Sequence, residues 1–233
     1  MAAAVVATGA AVQASLGFGL SLIAAPLLLL IDRALVPGPL LASGILLSIL
    51  MALRDHASID ASGFRWGLAG RLLGTIPAVA TLAVLSARGF DLIFGALVIL
   101  AVVLSLIHPH VRPTRNMVFA AGTLSGYMGT ISSIGGPPLA LVYQHAEGAR
   151  IRGTLSSLFL FGCIASLVGL WTAGLFDTRQ AWLAVGLLPG AVVGFAISRW
   201  TVRWVDRGAT RTLVLGLSVV SACAVLARSA WGS

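Results

Sequence analysis

Charge is what this chain has least of. Only 9% of its 233 residues are Asp, Glu, Lys or Arg, against roughly 25% in soluble globular chains. A soluble domain of this length still needs a wet, charged surface, so the deficit excludes one. With 58% hydrophobic residues and a mean hydropathy of +1.01, the missing water-facing surface implies contact with lipid. Lysine is absent, all 15 basic residues being Arg, and with 7 acidic residues the net charge is +8. The arginines form no stripe or tail of the kind that follows nucleic acid. They sit in short gaps between apolar runs, where they orient a chain in a bilayer, and no nucleic-acid partner is expected. Cysteine is nearly missing too. Cys163 and Cys223 lie in apolar runs without CxxC or Cys/His spacing, which excludes a disulfide framework or zinc site and leaves them as small buried hydrophobes. No metal or cofactor is expected. No basic stretch precedes the first apolar run, so no cleaved signal peptide is expected either.

What is there is a series of apolar segments, at roughly 2–16, 20–31, 36–53, 64–86, 90–107, 116–130, 134–144, 153–174, 180–199 and 209–229. A full crossing takes about 20 residues, with a lower range near 17. The third, fourth, fifth, eighth, ninth and tenth satisfy that. The first two, and the sixth and seventh, form two short pairs, each interrupted by glycines and followed by proline. Trp66, Trp171, Trp182, Trp200, Trp204 and Trp231 fall at or beside segment ends, where amphipathic rings prefer the headgroup zone. Asp177 with Gln180 reads as a capping box, and Asp60 and Asp91 read as helix-start acids complementing the dipole. No carboxylate is expected at membrane depth, so a proton-relay carboxylate is missing and proton-coupled, exchange-driven and passive transport all stay open.

The chain repeats itself. Gly17 to Pro26 matches Gly129 to Pro138 at one shift, 129 − 17 = 112 and 138 − 26 = 112. Gly70 and Gly74 echo Gly190 and Gly194, and Arg88-Gly89 echoes Arg207-Gly208. The reading is two five-segment repeats, 1–108 and 109–233, in a single membrane domain. Arginine placement decides how they lie. If each short pair crossed once as a broken helix, the arginines would divide seven to eight. If each pair goes in and comes back, eleven collect on one side, and Arg33, Arg88, Arg179 and Arg228 remain on the other. The positive-inside rule favours the second arrangement. It makes the repeats antiparallel and puts both termini outside the cytoplasm. The returning elements, at 11 to 15 residues, would be roughly 16–22 Å long, so the hairpin tips would meet near the bilayer centre. The expected fold is all-α: a polytopic membrane protein of two inverted repeats, each opening with a re-entrant helical hairpin.

Irregular backbone at membrane depth persists only where it is packed in protein or lines a polar cavity, and broken helices in inverted repeats are the plan of secondary transporters. The tips are therefore the candidate substrate site. In the second hairpin, Ser132, Ser133, Gly135 and Gly136 lead into Pro137-Pro138 at a helix start, where free N–H groups suit an anion. Ser125, Tyr127 and Thr130 lie just before them, Tyr127 as a donor or gate. In the first hairpin Gln13, Ser15, Gly17, Gly19 and Ser21 precede Pro26. Gly70, Gly74, Gly190 and Gly194 read instead as helix-packing positions, and Arg71 as an arginine that snorkels to the headgroups. Ser125 is also a conceivable nucleophile, but the four histidines, His56, His108, His110 and His145, all fall in or beside polar gaps and offer no base at its depth. A channel, a scaffold subunit and an intramembrane hydrolase remain as alternatives to a transporter.

The stretches ASLGFGLSLIAAPLLLL and GTLSGYMGTISSIGGPPLALVYQ resemble the twice-repeated Gly-rich signature of the TauE/SafE family of sulfite exporters, over nearly the whole chain. Ile23-Ala24-Ala25 stands in the first copy where a glycine run is common. The resemblance implies export or uptake of small sulfur-containing anions such as sulfite and sulfonates, across a cell membrane. A small anion and the lipid bilayer are then the expected partners, with homo-oligomer formation left open.

Overall fold

A computed structural model of the chain describes residues 1–107, 113–205 and Gly216, without the side chains of 201–205. The expected tenth segment, His108, His110, Arg112, Arg207-Gly208, Cys223, Arg228 and Trp231 lie outside the described residues, as do the side chains of Arg203 and Trp204. Within them the chain is helical, without strands: α1 Ala2–Leu16, α2 Leu20–Ile31, α3 Gly38–Asp55, α4 Ala61–Val84, α5 Ala87–Leu106, α6 Arg115–Ser132, α7 Gly136–Tyr143, α8 Gly148–Thr172 and α9 Thr178–Val205. Among the described residues five stretches, in α3, α4, α5, α8 and α9, are long and apolar enough to cross a membrane.

The apolar core encloses a set of buried polar groups, and the outside of the molecule is apolar. Ser43, Ser48, Arg71, Ser125, Thr130 and Ser166 are all 2% exposed or less, while Leu73, Ile76, Val103 and Val168 are about half exposed or more. Water would penalise such a surface and a lipid would not. Trp171, Trp182 and Trp200 stand out from helix ends, as expected of interfacial anchors.

Capping chemistry sets the starts. Asp60 accepts from the Gly63 N–H at 3.1 Å and Asp177 from the Gln180 N–H at 2.8 Å. The Gln180 side chain does not complete the capping box, since its buried Oε1 has no partner among the described residues. Asp91 departs from expectation. Ser86 caps α5 through the Gly89 N–H at 3.1 Å, which starts the helix three residues earlier and carries Asp91 into its second turn. There it is 2% exposed and paired with Arg33. It is a buried ion-pair partner and not a cap.

Two breaks interrupt the short pairs. α1 ends where Gly17 turns left-handed at φ 95°, and Gly19 follows at φ 127°, conformations that glycine takes without penalty. α6 ends at Ser133, also left-handed at φ 63°. Pro137 and Pro138 explain that ending, because a proline ring clashes with the carbonyl four residues back, here Ser133 and Ile134. The helix ends correspond at 132 − 16 = 116 and 136 − 20 = 116, one helical turn away from the 112 that the glycines and prolines suggested. Gly129 therefore lies within α6 and Pro26 within α2. α6 is longer than expected at 18 residues and α7 shorter at 8, or about 27 and 12 Å. The second break lies deep in consequence, with the Ser133 hydroxyl donating to the Pro37 carbonyl at 3.2 Å, beside the start of α3.

Backbone contact between helices is as close as glycine permits. A Cβ on Gly70 or Gly74 would fall 2.2 Å or 2.0 Å from the carbonyl oxygens of Phe119 and Thr123, so α4 and α6 run parallel. On Gly190 or Gly194 it would fall 2.3 Å or 2.2 Å from those of Ala3 and Ala7, so α9 and α1 run parallel too. The four glycines are packing positions, as read from the sequence. The partner residues repeat the helix-end register, 119 − 3 = 116 and 123 − 7 = 116. α3 and α8 run antiparallel: Gly153 near the start of α8 abuts the Asp55 carbonyl at the end of α3, and Gly38 at the start of α3 abuts Phe176 beyond the end of α8.

Ion pairs sit at the two ends of the bundle. At one, Asp55 pairs with Arg54 and Arg152 at 3.0 and 3.3 Å, and Asp60 with Arg150 at 3.0 Å. Tyr143, the last residue of α7, donates to Asp60 at 3.2 Å. Burial pushes the Asp60 carboxyl up, but the Gly63 N–H, Arg150 and Tyr143 outweigh it and hold the group below the ordinary carboxylate range. At the other end Arg33 meets Asp91, and Arg179 meets Asp32 at 3.5 Å.

Candidate functional site

Both breaks open on one cavity. Its walls are Gly19, Leu20 and Ser21 at the start of α2, the stretch Ser133–Pro137 at the second break, Gly44 and Ser48 of α3, Arg71 of α4, and Phe159 and Cys163 of α8. The volume is about 30 Å³. A single water needs roughly 10–15 Å³, so the cavity takes a group of a few heavy atoms and nothing as large as a nucleotide.

Arg71 dominates its chemistry. The side chain is 2% exposed. One Nη donates to the Ser125 hydroxyl at 2.5 Å, and that hydroxyl donates on to the Gly135 carbonyl at 2.5 Å. The guanidinium stands 5.3 Å from the centre of the Phe159 ring, within cation–π range. Gly162 makes the room, since a Cβ there would fall 2.0 Å from Arg71 Nε. That Nε is buried with no hydrogen-bond partner, and no carboxylate among the described residues pairs with the group. Taking a charge out of water costs several kcal/mol unless a counter-charge meets it. Here the protein provides a hydroxyl, an aromatic face and an empty space.

Arg71 is the residue the sequence misassigned. Counted from an apolar segment at 64 it lay near the end of its helix and snorkelled. Asp60 starts α4 at Ala61, so Arg71 is the eleventh helical residue, about 15 Å in, and its side chain runs inward. Ser48 and Phe159 carry no signal in sequence, being one helical serine and one phenylalanine among many, and Cys163 reads there only as a small buried hydrophobe.

Seven of the fourteen residues expected at the site line the cavity: Gln13, Gly19, Ser21, Ser133, Gly135, Gly136 and Pro137. Gln13 also ties the first break, its Oε1 accepting from the Leu20 N–H at 3.2 Å. Ser125 stands behind Arg71. Ser132 turns the second corner, donating to the Met128 carbonyl at 2.8 Å and accepting from the Ile134 N–H at 3.3 Å. Thr130 reaches Thr75 at 3.3 Å and Ser166 at 2.7 Å, joining α6 to α4 and α8. Ser15 donates back to the Ala11 carbonyl, and Gly17 faces Ile151 and Arg152. Pro26 is buried within α2, and the Tyr127 hydroxyl lies 3.4 Å from that of Thr81. Pro137 and Pro138 occupy positions where α7 would otherwise present N–H groups, so the backbone donors nearest the cavity at this break are those of Gly135 and Gly136.

No curated protein and no solved structure matches the chain. A family model does, that of the sulfite exporter TauE/SafE, over residues 1–225. A multi-pass helical architecture, an apolar exterior and a match over nearly the full length agree, and the chain belongs to the TauE/SafE family of sulfite exporters.

Proposed function

We propose that the protein is a secondary transporter of small anions, sulfite and sulfonates among them, which bind on Arg71 in the cavity between the two breaks. One observation carries this reading: a buried guanidinium with an unused Nε, no acidic partner among the described residues, and a small cavity against it. An anion supplies the missing counter-charge, and hydrogen bonds to a charged group are the stronger kind. The family match supports the sulfur-oxyanion class. A cavity of about 30 Å³ favours a carrier that holds one ion at a time over a continuous pore. In proteoliposomes, trapped unlabelled sulfite is expected to speed entry of labelled sulfite, and the flux is expected to saturate. Flux without counterflow, carried as a large conductance, sinks the carrier in favour of a channel.

In the same proposal α1–α2 and α6–α7 are re-entrant pairs of two inverted repeats. α6 runs parallel to α4, and α7 ends beside the start of α4 through Tyr143 and Asp60, so the pair returns to the end of the bundle it left. α1 runs parallel to α9, and α2 ends at Asp32, paired with Arg179 at the start of α9. The end that carries Arg54, Arg65, Arg115, Arg150 and Arg152 is the cytoplasmic one by the positive-inside rule, in the cell membrane, with both termini opposite. In a background without cysteine, an impermeant thiol reagent is expected to label Ala34→Cys and Ser86→Cys from one face. Ser58→Cys and Glu147→Cys should label from the other. Positions 34 and 58 on one face would end this topology.

A further inference from the structure

Buried hydroxyls on these helices share a habit. Ser43, Thr75, Ser105, Thr130, Ser132 and Ser157 each donate to the carbonyl four residues earlier, the local bond a helical Ser or Thr falls back on. Ser48 does not. It lies in α3, 0% exposed, on the wall of the cavity, and its hydroxyl has no partner among the described residues. The Gly44 carbonyl, four residues earlier, stands unused by it. A buried hydroxyl without a partner costs about 1–3 kcal/mol, so its retention on a cavity wall asks for a ligand. The other orphaned donor on that wall is Arg71 Nε, from a different helix.

We propose that Ser48 is a specificity-determining residue of the Arg71 site, donating its hydroxyl to one oxygen of an oxyanion whose charge rests on Arg71. The assignment rests on the anion reading of the cavity. An oxyanion offers several acceptor oxygens and can use donors from α3 and α4 at once. A halide is a single acceptor that the guanidinium alone serves, and it leaves the Ser48 hydroxyl unpaired. A site built to hydrogen-bond one ligand rejects another through the group left unsatisfied.

The test compares sulfite and chloride on the purified full-length protein, by titration in detergent and by uptake into proteoliposomes. Ser48→Ala is expected to weaken apparent affinity for sulfite about tenfold or more. The maximal rate at saturating sulfite should be retained and chloride affinity left as in the wild type. Ser48→Thr, which keeps the donor, is expected to recover sulfite affinity. Ser48→Cys, which keeps the volume and gives up the strong donor, is expected to match the alanine variant. An alanine variant with wild-type sulfite affinity overturns the assignment, and so does one that loses sulfite and chloride equally, since that is a packing effect. If Ser48→Ala is unchanged while Arg71→Leu loses sulfite, only the Ser48 role falls. If the wild type binds no sulfite, the anion reading falls and takes this role with it.

Discussion

Arg71→Leu is expected to abolish sulfite uptake while leaving the protein at least as stable as the wild type. The two halves of that result have one cause. Arg71 is 2% exposed, with a hydroxyl and an aromatic ring for company and no acid among the described residues. In the empty protein its charge carries a desolvation cost with little to offset it, and replacing a buried charge by an apolar side chain is often neutral or stabilising. Ser125 keeps a bond after the substitution, to the Gly135 carbonyl. With substrate bound the balance reverses. Truncating one partner of a buried charge pair costs about 2–5 kcal/mol, and roughly 2.7 kcal/mol is already a hundredfold in affinity. Uptake at sub-saturating sulfite should therefore fall by about 100-fold or more. Sulfite should raise the melting temperature of the wild type, as any ligand of the native state does, and leave that of the variant unmoved. Arg71→Lys should recover little, because an ammonium has neither the plane that lies against Phe159 nor the fork that reaches Ser125. A leucine variant that melts well below the wild type makes Arg71 a structural strut. One that still transports removes it from the site.

The sequence carried the fold further than it carried the site. Segment bounds at 2–16 and 20–31 recur as α1 and α2, because an apolar run bounded by glycine or a capping Asp says where a helix can exist. Depth and register are decided elsewhere. The 112-residue shift aligned Gly17 with Gly129 and Pro26 with Pro138, yet a glycine in an apolar helix need not break it, and Gly129 continues α6. What stops α6 is the pair Pro137-Pro138 acting four residues back, and the 116-residue offset of helix ends and contacts shows only in which backbones touch. The early start of α4 hid Arg71, since three residues there separate a snorkelling arginine from one aimed at the interior. Tyr127 reads in sequence as a donor or gate beside the second tip. In the structure its hydroxyl lies beside Thr81, because the face a helical residue takes depends on its neighbours' packing. Ser48 was invisible for the opposite reason: its distinction is a bond it does not make.

Gly126→Ala is the counterpart to Arg71→Leu, expected to lower stability and transport together. A Cβ on Gly126 would fall 2.2 Å from the Arg71 carbonyl oxygen and 2.8 Å from its Cα, and on the same seam a Cβ on Gly122 would fall 2.4 Å from the Gly67 carbonyl oxygen. These are backbone atoms, which no rotamer change can move aside. To reach ordinary contact, α4 and α6 must part by about 1 Å along a parallel seam, and overpacking of this kind costs roughly 1–3 kcal/mol. In a chain of this length that is a fall of about 2–12 °C in melting temperature. The displacement is centred on the residue proposed to hold the anion and on the helix that leads to the second break, so a site that needs its donors placed to a fraction of an ångström should lose affinity as well. Gly186→Ala is the control. It puts the same methyl on α9 where nothing lies within 4 Å, and it is expected to change neither melting nor uptake. A Gly126→Ala protein that melts and transports like the wild type means the helices do not meet at this seam, and the depth assigned to Arg71 goes with it. If it melts lower yet binds sulfite at wild-type affinity, the cavity tolerates movement of α4 and Arg71 is not the residue that grips the anion.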